Sequence, residues 1–243
     1  MGPKLQLLLW VAGSIGIGAM AVAFVHRISG GWRRRALAES ELGGLLAEVA
    51  IFVYCIGWPF LALISGALGV DLLGLGKIGI EGTPTLAGFA PRDWVRSSTI
   101  AGLAAGFVLI VLWLAGRASR PQAAGQPAPP RLWLTMRDAA YSEVHWAFYR
   151  APFVLMLGDA QWGAAVGLIL VIAEWTLLRL LRQASSVLED REHALVLACC
   201  ALTSGLLYVI SRNLWLMIAV QALIRWAGHR LLFGSVHPAT SQG

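Results

Sequence analysis

Trp162-Gly-Ala-Ala-Val-Gly-Leu-Ile-Leu-Val-Ile-Ala-Glu174-Trp-Thr-Leu-Leu-Arg-Leu-Leu181 is an apolar run interrupted past its middle by one acid. At about 1.5 Å per residue it is as long as a bilayer's hydrocarbon core is thick, about 30 Å. Such a run predicts a transmembrane helix. An ionised side chain at that depth costs several kcal/mol unless it is paired or working, so Glu174 marks a place to look for function.

The same pattern recurs on both sides of this stretch. Windows of bilayer length fall at Leu5–Val25, Leu45–Val70, Thr99–Gly116, Ala139–Gly158, Trp162–Leu181, His193–Ile210 and Asn213–Leu232. The composition agrees: 58% of residues are hydrophobic, only 13% are charged, and the mean hydropathy is +0.69. A soluble domain carries roughly a quarter charged residues, so the expected fold class is all-α, a polytopic membrane bundle of about seven transmembrane helices. The first run is longer than a signal-peptide core and reads as a span.

The net charge of +6 does not point to nucleic acid. Only Lys4 and Lys77 are lysines, and the arginines gather in alternate short loops: Arg27, Arg33, Arg34 and Arg35; Arg117, Arg120 and Arg131; Arg182 and Arg191; then Arg230 near the C-terminus. By the positive-inside rule these loops are cytoplasmic and the N-terminus lies outside. Residues 1–116 form a three-span region, and 117–131, rich in Pro, Ala and Gly, a flexible linker. Residues 132–233 form a four-helix core and 234–243 a polar tail. Residues 70–96 are Gly-rich and semi-polar, with the composition of a loop that re-enters the membrane. Leu132 to Arg137 has the aromatic and basic residues of an interfacial helix. Cys55, Cys199 and Cys200 lie in apolar runs without metal-type spacing and read as small buried thiols. No metal or other cofactor is expected. Small-residue pairs at i, i+4, among them Ser14/Gly18, Gly102/Gly106 and Gly163/Gly167, suit close helix packing.

Arg150, Glu174 and Arg225 lie in three different spans, and Glu143, His145 and Gln221 complete the polar set. Counted along ideal helices from the outer ends, Arg150 and Gln221 lie about 12 Å deep, Glu174 and Arg225 about 18 Å, and His145 and Glu143 about 20 Å. Glu143, Trp146 and Arg150 share one stripe. Two acids and two arginines sum to zero, so one reading is a set of buried ion pairs that fixes which helix faces which. A second makes the cluster a reaction centre, with a carboxylate activating water and an arginine steadying an oxyanion. A third gives the set a small molecule, pigment or ion, with His145 as donor.

The C-terminal half, roughly 131–233, resembles the CPBP family, the CAAX-protease and bacteriocin-processing group of glutamate-dependent intramembrane proteases. That family's helices carry Glu-Glu-x-x-x-Arg, Phe-x-x-x-His and His-x-x-x-Asn. Here His145-Trp-Ala-Phe-Tyr-Arg150 occupies the first motif, Leu170-Val-Ile-Ala-Glu174 the second, and Tyr208-Val-Ile-Ser-Arg-Asn-Leu-Trp-Leu-Met-Ile-Ala-Val-Gln-Ala-Leu-Ile-Arg225 runs into the third. Only Arg150 keeps the family's residue type. His145 and Trp146 replace the paired glutamates, Glu174 and Gln221 the histidines, and Arg225 the asparagine. The resemblance implies a multi-pass protein of the bacterial cytoplasmic membrane. Its substituted motifs imply a non-proteolytic scaffolding, accessory or binding subunit, with a membrane-protein partner in the lipid bilayer. Glu143, a turn before Trp146, and Glu174 are the carboxylates through which an active protease, processing the C-termini of sorted or lipid-anchored proteins, would have to work.

Overall fold

The computed structural model describes residues 2–28, 41–76, 86–118, 131–182 and 189–233, and among these the chain is mostly helical, with short turns between the helices. Helix α1 is Pro3–Ile28 and α2 is Glu41–Phe52, which runs through a π-turn at Val53–Gly57 into α3, Trp58–Ile64. A short α4, Val70–Leu73, precedes α5, Pro91–Ala118. The C-terminal part is α6, Leu132–Leu157; α7, Ala160–Arg182; α8, Glu189–Ser211; and α9, Leu214–Phe233. A single bridge between Leu86 and Phe89 is the only extended pairing among the described residues.

Among the described residues, five segments are long and apolar enough to cross a membrane: Lys4–Ala23, Glu41–Ile64, Pro91–Ala118, Ala160–Leu178 and His193–Ser211. This is the build of an integral membrane protein. Helices α6 and α9 fall short of that apolarity, and the reason is informative. Together they carry half of the buried polar side chains among the described residues, and α6 alone buries Glu143, His145, Tyr149 and Arg150. It packs against α1, α3, α4, α7, α9 and the π-turn, so its polar residues meet protein rather than lipid.

Several boundaries differ from the sequence expectation. Leu132 to Arg137 is the first part of one continuous α6, which begins before the expected span at Ala139. Helix α5 begins at Pro91, well before Thr99, and runs on through Arg117 to Ala118. Residues 77–85 of the expected re-entrant loop, 119–130 of the expected linker and the whole tail lie outside the described residues.

Two turns fix the helix pairing that matters. Gly158, at φ +66°, closes α6 by donating its N–H to Val154 O. Asp159 follows and caps α7, its carboxylate accepting from the Gln161 N–H at 2.6 Å and the Trp162 N–H at 3.0 Å. This tight reversal lays α7 antiparallel on α6. At Gly163 and Gly167 an added Cβ would come within 2.6 Å of Val154 Cα and 2.8 Å of Arg150 Cα, so the pair sets the α6–α7 approach. Gly102 and Gly106 have no such neighbour. At the next reversal Asn213 caps α9 through the Leu216 N–H, and the Leu214 N–H donates to Gly74 O, tying α4 to that turn.

Candidate functional site

Helix α6 turns about 100° per residue, so Glu143 and Arg150, seven apart, return to nearly the same direction. His145 lies about 200° round from Glu143, with Tyr149 one turn further along. The polar residues therefore form two clusters, on opposite sides of α6.

The first centres on Glu143, which has no exposed surface. Arg150 Nη2 donates to its Oε1 at 2.5 Å, the Ser204 hydroxyl donates to the same oxygen at 2.8 Å, and Gln221 Nε2 donates to Oε2. Arg150 Nη1 also donates to Ser204 at 2.7 Å, and its guanidinium lies 4.6 Å over the Tyr208 ring. Gln221 Oε1 accepts from Arg225 Nη2 at 3.2 Å, and that nitrogen also donates to Ser142 at 2.8 Å. Helices α6, α8 and α9 are thereby joined through one carboxylate and its donors.

The second cluster centres on Glu174, 4% exposed. His145 Nε2 donates to its two oxygens at 3.2 and 3.3 Å, and the tautomer with a proton on Nε2 is the one that suits a carboxylate. Tyr54 and Tyr149 both donate to Oε1, Tyr149 at 3.1 Å. Tyr149 has one proton to give, and Ser14 Oγ and the Tyr54 hydroxyl, each at 3.3 Å, compete for it. The imidazole packs tilted against both phenols, with ring centroids 4.8 and 4.3 Å away.

The π-turn explains how Tyr54 gets there. Pro59 has no N–H to offer the Cys55 carbonyl, and the preceding turn widens so that the Trp58 N–H reaches back to Val53 O. On α1, Gly18 leaves space for the Tyr54 hydroxyl, which would lie 2.8 Å from a Cβ there, and Gly13 does the same for Trp58.

All six residues singled out in the sequence lie in these clusters, but the pairing differs from the expected one. Glu143 and Arg150 pair within one helix. Glu174 is met by an imidazole and two phenols, not by an arginine, and Arg225 touches an amide and a hydroxyl rather than a carboxylate. Opposite charges from three helices thus do not converge on one centre, because α6 stands between Glu174 and Arg225. Tyr54, Tyr149, Ser14, Ser142 and Ser204 were not foreseen. Tyr149 was legible as the residue one turn from His145. The Gly57-Trp58-Pro59 break was a signal for Tyr54, whereas the serines give none.

Beside Arg150, a recess lined by Trp146, Ala164, Gly167, Leu168, Val171, Ala201 and Gly205 measures about 10 Å³, room for roughly one water. Among the described residues no three His, Cys, Asp or Glu side chains gather as metal ligands, and the three thiols are free. No family model, characterised protein or solved structure matches the chain, so the likeness to the CPBP proteins rests on its motif spacing alone.

Proposed function

We propose that this is a multi-pass scaffolding, accessory or binding subunit of a bacterial cytoplasmic-membrane complex, with a CPBP-like core that does not cleave peptides. The observation that carries the reading is the state of Glu143. Its carboxylate is sealed from solvent and engaged at both oxygens by donors from three helices, so it serves as a structural acceptor rather than a base presented to a water. The recess beside Arg150 has room for about one water and none for a peptide.

The proposed topology has seven crossings. To the five apolar segments it adds α6 and α9, whose 26 and 20 residues reach about 39 and 30 Å. The arginine distribution supports an N-terminus on the outer side.

Glu143→Gln and Glu174→Gln, purified in mild detergent, test the reading. Each is expected to lower the melting temperature and the yield of a stoichiometric membrane partner. A wild-type protein that cleaves a membrane-anchored peptide, and loses that activity in Glu143→Gln with an unchanged melting temperature, would overturn it.

A further inference from the structure

A guanidinium carries its N–H donors in one fixed plane, so it is satisfied only when acceptors stand all along its edge. Arg150, 3% exposed, meets most of this need: Nη1 donates to Ser204 at 2.7 Å and Nη2 to Glu143 at 2.5 Å. Its Nε is buried and has no hydrogen-bond partner. A buried donor on a charged group that lacks an acceptor costs its whole desolvation penalty. In folded proteins such atoms are met by protein or by ordered water.

The recess beside Arg150 has the size and the place for a water. Gly167 lines it, and a Cβ there would lie 2.5 Å from Arg150 Cγ, so the arginine's stem, two bonds short of Nε, runs along the recess wall. Gly205 lines it from α8, and a Cβ there would meet nothing within 4 Å. A helical side chain covers the turn before its own Cα, so a glycine at 205 leaves the carbonyl of Ala201, also in the lining, uncovered. A helix carbonyl that already accepts one N–H keeps a second lone pair. At least twelve residues, about 18 Å of helix, separate Gly167 and Gly205 from the nearest side chains of α7 and α8 outside the described ones.

We infer that this recess is a binding site for one ordered water, which accepts from Arg150 Nε and donates to the Ala201 carbonyl, bridging α6 to α8. These are the two polar partners that a buried water needs, and about 10 Å³ admits one such molecule. A halide could accept the same proton. The Glu143 carboxylate, paired with this guanidinium, already balances its charge and repels a second anion, which selects the neutral occupant. The water turns a lone pair to a cation and becomes a poorer nucleophile, so the site is independent of the subunit role proposed above.

A structure of the full chain in lipid nanodiscs, at a resolution that shows ordered waters, gives the test. Wild type is expected to show one isolated density peak in the recess, about 2.7–3.2 Å from Arg150 Nε. Arg150→Lys keeps a cation for Glu143 and puts a methylene where Nε stood, so the folded variant should lose the peak. Its melting temperature reports whether it folds, and if it does not, the wild-type map decides. Replacing chloride by bromide should leave the peak height unchanged. An empty recess, a peak that strengthens in bromide, or a peak that persists in folded Arg150→Lys would overturn the proposal.

Discussion

The two sides of α6 handle a buried acid in different ways. Around Glu143 the solution is charge against charge: a guanidinium on the same helix, with a serine and an amide from α8 and α9. Around Glu174 no guanidinium is present among the described residues, and an imidazole and two phenols from α6 and the π-turn hold the carboxylate. Both acids are almost entirely shielded. The contrast shows that a polar group inside a membrane bundle needs a complete set of donors more than it needs an opposite charge. The two solutions fail differently. Losing the single cation strands a charge, whereas losing one of several neutral donors removes one bond in a set.

That difference sets the order of expected effects. Arg150→Met leaves Glu143 buried without a countercharge and should cost about 3–5 kcal/mol in a reversible unfolding titration in detergent. The double variant Glu143→Gln/Arg150→Met should recover most of the loss, and a double variant as unstable as the single would break the comparison. Next in size, Gly167→Val drives side-chain atoms into the α6 backbone at Arg150 and should cost about 1–3 kcal/mol by the same titration. Gly102→Val, with open space at its Cβ, should stay within roughly 0.5 kcal/mol of wild type.

On the Glu174 side, Tyr54→Phe removes one neutral donor and should cost about 0.6–1.7 kcal/mol, the range of hydrogen bonds within membrane bundles. A Tyr54→Phe loss as large as that of Arg150→Met would mean that Glu174 depends on that phenol as Glu143 depends on its arginine. The smallest effect is expected at the exposed Arg137–Glu48 pair. Arg137→Gln should shift stability by less than about 1 kcal/mol, and raising the salt concentration should shrink the difference further.

The sequence by itself determined the helical membrane class, the approximate extent of the spans and the identity of the six polar residues worth following. Hydropathy over a bilayer's width and the cost of charge in lipid are local properties, and they can be read from consecutive residues. It also determined the α6–α7 hairpin, since Gly158-Asp159 is a helix stop followed by a helix cap, and the spacing of Gly163 and Gly167 marks a packing face. Only the tertiary structure decided who partners whom. Depth along an axis placed Glu174 and Arg225 at one level, but rotation about α6 put them on opposite sides of a helix. Tyr54 reaches Glu174 because Pro59 widens one turn and Gly18 clears the space, two effects separated by a whole helix in the chain. Partnership depends on the rotational setting of each helix against its neighbours, which is fixed by packing among residues far apart in sequence and so cannot be read from any single span.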